Sequence, residues 1–268
     1  MLSSRVFSVV VDHYDPAPAA RLLAAAWQSG VQMAELPAGI RPRSMHEGYD
    51  VQDAFVGMLG DSVAGWKLGV GSPSAMRKAG NDRPLIGRVL RSQCYRSGDT
   101  VKLHAGSTAV IEFEIAFILA NDIPPGAAPR SPMQAVRAVH VTFEVVQSRF
   151  VDRRAVGWPS FVADNSAFRA LVVGSAIDPT SMGVLADDAL VRVDGSELAR
   201  GLAGDEITDP IASLQALFLH AEERRITLQR DAIVSTGSVS TPFNVTGRSA
   251  LVEASSAGAE IAMRIEAA

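Results

Sequence analysis

Three glutamates stand where a carboxylate is hardest to accommodate. Glu112 and Glu114 interrupt the apolar run Ile111-Glu112-Phe113-Glu114-Ile115-Ala116-Phe117-Ile118-Leu119, and Glu144 interrupts a second run from Val139 to Val146. Strand side chains alternate faces, so Ile111, Phe113, Ile115, Phe117 and Leu119 form one apolar face. Glu112 and Glu114 leave together from the other, their Cα atoms about 6.5–7 Å apart. A bland reading exists, because the wet face of a one-sided strand often carries polar residues. Against it, a lone buried carboxylate at Glu144 is costly without a partner, and one divalent ion shared by all three residues removes that cost. Oxygen-only ligands favour Mg²⁺ or Mn²⁺ over zinc or copper and leave positions for water and a chelating substrate.

The elements that must position these residues divide at about residue 62. Before it the pattern is helical. Asp15-Pro16 opens an Ala/Leu-rich run that stops at Gly30, and Ser44-Met45-His46-Glu47 has capping-box spacing ahead of Tyr49, Gln52, Phe55, Val56 and Leu59. From Val63 onward the texture is short β-prone runs broken by glycine, proline and Asp-Gly, with a few helical interruptions such as Ser131-Pro132 through His140 and a surface helix over Asp209 to Arg224. Asp194-Gly195 supplies the tight turn of a hairpin over Leu190 to Arg200. A strand from Ala232 to Ser235 precedes Thr236-Gly237, and alternating strands such as Ala259 to Ile265 close the chain. The class is α+β, dominated by sheet, with a helical cap over 1–62 on a catalytic unit over 63–268, the two forming one continuous structural unit.

The bulk composition narrows the function classes. The 268 residues, 47% hydrophobic, carry a formal charge of −4 without a basic block, which gives no basis for electrostatic attachment to nucleic acid or to an anionic membrane. The single cysteine, Cys94, excludes an internal disulfide framework and a Cys-based zinc site, and suits a cytoplasmic enzyme. The apolar stretch Val6 to Val11 is too short for a signal-peptide core or a membrane span.

The order Gly65-Trp66-Lys67-Leu68-Gly69, Ile111 to Ile115, Phe143-Glu144-Val145-Val146-Gln147-Ser148-Arg149 and Val162-Ala163-Asp164-Asn165-Ser166 resembles the 2-keto-4-pentenoate hydratase and 4-oxalocrotonate decarboxylase group of the fumarylacetoacetate hydrolase superfamily. The resemblance runs from about Ser44 to the C-terminus, and Ser235-Thr236-Gly237 also has a counterpart. It implies a mixed β-sandwich roll, a divalent metal on Glu112, Glu114 and Glu144, and a small 2-oxo or 2-hydroxydienoic acid that chelates the metal. It further implies catalytic roles for Lys67 and Asp164, substrate contacts from Leu85, Asn165, Ser166, Thr236 and Gly237, and homo-oligomerisation. Read from the residues alone, Asp164-Asn165 and Thr236-Gly237 are also plain turn formers. Lys67 sits in a Gly-flanked, otherwise apolar strand, which disfavours a solvated surface role.

One position departs from the family. Hydratases of the group usually carry a carboxylate after the proline of a short Gly-ending loop, whereas the matching stretch here is Arg83-Pro84-Leu85-Ile86-Gly87. Leucine moves no proton, so the position pulls toward decarboxylation, while membership of the group leaves hydration as the broader expectation. A catalytically silent partner subunit is a third reading. Asp82 is a possible substitute for the missing carboxylate. His46-Glu47 or His13 are weak candidates for a lid pair that activates water, because Glu47 already has a capping task. His104, His140 and His220 lack metal-ligand spacing with one another.

Overall fold

The computed structural model describes residues 14–104, 106 and 108–267. The stretch Val6 to Val11 and His13 lie outside the described residues. In chain order the helices and strands are α1 (Ala17–Ser29), α2 (Met45–Leu59), β1 (Val63–Gly69), α3 (Pro73–Ala79), β2 (Leu85–Leu90), β3 (Cys94–Arg96), β4 (Thr100–Leu103), β5 (Thr108–Leu119), β6 (Val136–Val146), α4 (Trp158–Ala163), β7 (Phe168–Ile177), β8 (Leu190–Val193), β9 (Ser196–Arg200), α5 (Pro210–Glu223), β10 (Ile233–Ser238), β11 (Phe243–Thr246), β12 (Ala250–Ser256) and β13 (Ala259–Ala267).

The N-terminal helices start and stop on local chemistry. Asp15 Oδ1 accepts from the Ala17 N–H at 3.0 Å ahead of α1, and Gly30, at φ 73°, closes it. Ser44 Oγ caps α2 through the Glu47 N–H at 3.2 Å. The Glu47 carboxylate then accepts from Arg43 N at 2.6 Å rather than from Ser44 N, so the box closes one residue further out. Leu23 of α1 and Val51 and Phe55 of α2 pack with Leu36, Phe150 and Ala163 in an apolar cluster. Those contacts tie both helices to the segment around α4.

The strands form two sheets. The larger has the order β2-β1-β10-β5-β6-β7-β3, with β11 also paired to β5, and the smaller has the order β4-β13-β12-β8-β9. Parallel pairs (β1 with β10, β3 with β7) and antiparallel pairs (β5 with β6, β6 with β7) coexist in the larger sheet, which makes it mixed. The odd-numbered face of β5 enters the core as its alternation requires: Phe113 and Phe117 meet Phe143 and Val145 of β6, with Val252 and Met263 from the smaller sheet. The Phe113 and Phe143 rings stand 5.7 Å apart. Such a core excludes charge, so the glutamates of β5 and β6 must use the opposite face.

Three local expectations need correction. The helical reading of 131–140 holds only for one 3-10 turn, Pro132–Ala135, and β6 begins at Val136. The Ser-Pro start signal is real, but Val136, Val139 and Val141 are β-branched and pair along β5, which overrides it. Thr236-Gly237 does not follow a strand but lies inside β10, where the register with β5 shifts between Ser235 and Ser238. Finally, α5 is capped by Asp209, as its sequence predicts, yet it is no mere surface helix. Leu214, Leu217 and Phe218 pack into the main core. The hairpin of β8 and β9 turns on Asp194 and Gly195 at φ 51° and 78°.

Candidate active site

Strand register brings the three glutamates together. Glu112 of β5 lies directly opposite Glu144 of β6, and Glu114 lies opposite Thr142 one rung away. One carboxylate oxygen from each of the three lies within 4.8 Å of the others. Glu114 and Glu144 are fully buried and Glu112 is half-buried. Like charges facing each other across a ladder are destabilising, so the arrangement calls for a cation.

Part of that demand is met by the protein. Glu114 Oε2 accepts from Ser235 Oγ at 2.6 Å and from the Gly237 N–H at 3.1 Å. The irregularity in β10 is what aims that amide at the carboxylate, with Gly237 at φ 111°. Lys67 Nζ, buried on β1, lies 2.9 Å from Glu144 Oε1, close enough for an ion pair but not aligned as a hydrogen bond. Glu114 Oε1 and Glu144 Oε2 have no hydrogen-bond partner among the described residues. Burial, reinforced by Glu144 and Glu112, holds the Glu114 carboxyl well above the usual carboxylate range. Burial also pushes Glu144 up to about 7, against the opposing pull of Lys67. Orphaned buried oxygens on a set of hard donors fit a divalent cation.

Lys67 is placed by its neighbours on β1, β2 and β10. It pairs with Gly87 and with Ser235. A Cβ on Gly87 would come within 2.8 Å of the Asn165 carbonyl oxygen and 3.1 Å of Lys67 Cε, so only glycine lets the lysine and the Asn165 turn approach from both sides. That turn is unusual. Asn165, Ser166 and Ala167 have φ of 51°, 48° and 61° and are completely buried. Left-handed backbone costs roughly 1–2 kcal/mol for each non-glycine residue. The Asn165 side chain offsets this by pairing with β2 like a strand, accepting from Arg88 N at 2.6 Å and donating to Arg88 O at 2.8 Å. Ser166 Oγ donates to Ile86 O at 3.3 Å.

The remaining candidates fall into two groups. Leu85 is buried in an apolar cluster with Val146, Phe161, Val162 and Ala167, and Val110 packs against it. Leu85, Val110 and Val146 therefore share one wall. Asp164, expected to be catalytic, has both oxygens occupied: Oδ2 accepts from Ser148 Oγ at 2.7 Å and Arg149 N at 3.2 Å, and Oδ1 from Arg149 Nε. Thr236 likewise spends its hydroxyl on Ile115 O at 2.8 Å. Asn165, Ser166, Thr236 and Gly237 grip strands or the Glu114 carboxylate through the contacts described.

Several functional partners escaped the sequence reading. Arg149 holds Asp164 beneath Trp27 and Phe55, its guanidinium 5.2 Å and 5.8 Å from their ring centroids. Gln52 of α2 donates to Ile86 O at 3.0 Å and Val162 O at 2.9 Å, joining β2 to α4. Its signal was present: a polar residue at a position where helical spacing calls for an apolar one. His46 is exposed and 3.6 Å from Asp50, and Asp82 is 94% exposed. His140 Nδ1 lies 3.0 Å from Gly174 O. A cavity of about 460 Å³ beside Leu85 is lined by Tyr49, Asp50, Arg83, His220, Glu223 and Arg224, and by none of Glu112, Glu114 and Glu144.

Comparison with known proteins bears on the fold and the family. No family model matches the chain. The structure superposes on the 4-oxalocrotonate decarboxylase from Pseudomonas putida G7, complexed with magnesium and adipate, with a TM-score of 0.81 at 17% identity over 94% of this chain and 97% of that one. It superposes on a protein assigned to the fumarylacetoacetate hydrolase family from Yersinia pestis CO92 with a TM-score of 0.54 at 14% identity, over 75% and 92% of the two chains. The fold is therefore that of the fumarylacetoacetate hydrolase superfamily. In sequence, the chain is 30% identical over 158 residues to 2-hydroxypent-2,4-dienoate hydratase of Pseudomonas putida, covering 57% of this chain and 69% of that protein. It is 24% identical over 183 residues to a 4-oxalocrotonate decarboxylase of a Pseudomonas species, covering 67% and 69%. The chain belongs to the 2-keto-4-pentenoate hydratase and 4-oxalocrotonate decarboxylase family, a family of lyases.

Proposed function

We propose that the chain is a Mg²⁺- or Mn²⁺-dependent lyase that adds water to a 2-hydroxy-2,4-dienoate, giving a 4-hydroxy-2-oxo acid in aromatic catabolism. The observation that carries this reading is the buried set of Glu112, Glu114 and Glu144 beside Lys67, with orphaned oxygens on two of the three. A divalent ion held there supplies Lewis-acid polarisation of a 2-oxo acid's carbonyl. Lys67 is the cation that meets the substrate, binding its carboxylate or carrying a proton at the enol oxygen. Leu85, Val110 and Val146 make one flank of the site apolar.

Asp164 acts through Arg149 and Ser148 as a positioning residue, and Asn165 and Ser166 fix β2 against Lys67. Gly237 and Thr236 set the reach of Glu114. The second reading, decarboxylation of a 2-oxo acid, is favoured by Leu85, which supplies no proton where the hydratase pattern has a carboxylate. A catalytically silent partner is disfavoured by the intact glutamates and Lys67. We place the enzyme in the cytoplasm as a homo-oligomer acting on a small acid, without nucleic-acid or membrane partners. No helix among the described residues is long and apolar enough to cross a membrane.

The test is to incubate the purified protein with Mg²⁺ and a panel of 2-hydroxydienoic and 2-oxo acids, following both ultraviolet loss of the dienol and release of CO₂. Dienol loss without CO₂ supports hydration. CO₂ release with no hydration assigns the decarboxylase reading, and neither product on any substrate contradicts both.

A further inference from the structure

Two buried hydroxyls flank Glu114 from the strands on either side of β5. Thr142 stands directly opposite Glu114 on β6. Ser235 of β10 pairs with Ala116 of β5, at the point where the register begins to shift. Thr142, Ser235 and Glu114 are all fully buried. A buried hydroxyl is costly unless it is bonded, so two of them side by side call for a reason that alanine or valine would not meet.

The hydroxyls form a chain that ends on the carboxylate. Thr142 Oγ1 lies 3.1 Å from Ser235 Oγ, and Ser235 Oγ donates to Glu114 Oε2 at 2.6 Å. A hydroxyl carries one proton. Ser235 gives its proton to the carboxylate, so the proton of the other bond comes from Thr142, and the chain runs from Thr142 through Ser235 to Glu114. The Gly237 N–H, which can only donate, meets the same Oε2 at 3.1 Å. Oε2 is therefore held by two donors, while Oε1 has no hydrogen-bond partner among the described residues and is the oxygen Glu114 can offer an ion. Across the cluster, Lys67 Nζ stands 2.9 Å from Glu144 Oε1, which leaves Glu144 its other oxygen.

The number of oxygens on offer decides between hard cations. Mg²⁺ takes an octahedral shell at about 2.0–2.1 Å and keeps several waters, whereas Ca²⁺ takes about 6–8 oxygens at about 2.3–2.6 Å and uses carboxylates through both oxygens. We propose that Ser235, with Thr142 behind it, is a positioning residue that confines Glu114 to one oxygen and thereby sets the preference of the glutamate cluster for Mg²⁺ over Ca²⁺. This rests on the reading of Glu112, Glu114 and Glu144 as a divalent metal site given above, and the two hydroxyls act through Glu114 alone.

The test is calorimetric binding of Mg²⁺ and of Ca²⁺ to the metal-free full chain and to Ser235→Ala, Thr142→Val and Thr142→Ser. Wild type should bind Mg²⁺ about tenfold or more tighter than Ca²⁺. Ser235→Ala should cut that ratio by about fivefold or more, within the reach of residues that orient a metal ligand. Thr142→Val should cut it by about twofold, the worth of one hydrogen bond, and Thr142→Ser, which keeps the donor, should restore the wild-type ratio. Melting of the metal-free variants checks their folds, and Thr142→Val, close in shape to threonine, carries the test if Ser235→Ala does not fold. A merely structural role would weaken both cations alike, so a ratio unchanged in Ser235→Ala and Thr142→Val overturns the proposal. Equal binding of the two cations by wild type also overturns it and leaves the metal site standing. If neither cation binds wild type, the reading of the glutamate cluster fails and the proposal with it.

Discussion

Lys67 and Glu144 form the contact on which the proposed division of labour rests, with the glutamates holding the ion and the lysine meeting the substrate. Lys67→Ala should therefore keep Mg²⁺ affinity, measured by calorimetry, while kcat falls by about 10²-fold or more, the usual worth of a positioned proton-transfer group. Undiminished turnover would remove Lys67 from the chemistry. The sequence made the glutamates legible because strand alternation leaves no apolar place for Glu112 and Glu114. Lys67 was reached through the family resemblance, supported by its place in a Gly-flanked, otherwise apolar strand. The partners of Asp164 were not legible, because nothing in a linear pattern reveals that Ser148 and Arg149 bond both of its oxygens. Leu85 could be read as a departure from the hydratase pattern, but not as part of a buried wall with Val146 and Phe161.

Among the elements, the contact between β2 and the Asn165 turn sets where β1 presents its lysine. A methyl group on Gly87 must displace either the Asn165 backbone or Lys67. Gly87→Ala should lower turnover at least about tenfold while destabilising the fold by about 1–3 kcal/mol, the range for overpacking. Parallel kcat and urea-denaturation measurements check this, and unchanged kcat would show that Lys67 does not depend on the close approach. Helix ends and the Asp194-Gly195 hairpin were readable from caps and turn residues. The left-handed run was not, since of Asn165, Ser166 and Ala167 only asparagine favours that conformation. The irregularity inside β10 was equally hidden, because Thr-Gly reads as a turn until its partner β5 is in place.

At the scale of the whole molecule, buried ionisable groups set the pH range of stability. The His220 ring on α5 packs at a tilt 4.6 Å from the Tyr49 ring, and burial, helped by Arg224, Arg88 and Arg83, pulls it down to about 3. The unfolded chain protonates this histidine near its ordinary value of about 6.5. The stability it contributes is thus complete above that pH and is lost as pH falls toward 3, roughly 2–3 kcal/mol by pH 4.5. His220→Phe should flatten the acid limb of a denaturation-versus-pH curve, and an unchanged limb would assign acid lability elsewhere. Glu114 and Glu144 act in the opposite sense. Their folded carboxyls are raised, so without metal their contribution is present below the unfolded value and is lost as pH rises, that of Glu144 through about 7. A divalent ion must displace those protons and should bind more tightly as pH rises. The most direct test is the rise in melting temperature on adding saturating Mg²⁺, compared at pH 5.5 and pH 8 for wild type and Glu114→Gln. The account predicts a rise of roughly 5–10 °C at pH 8, a smaller one at pH 5.5, and almost none in the variant. A wild-type rise that is absent, independent of pH, or undiminished in Glu114→Gln would contradict a divalent metal centre at Glu112, Glu114 and Glu144.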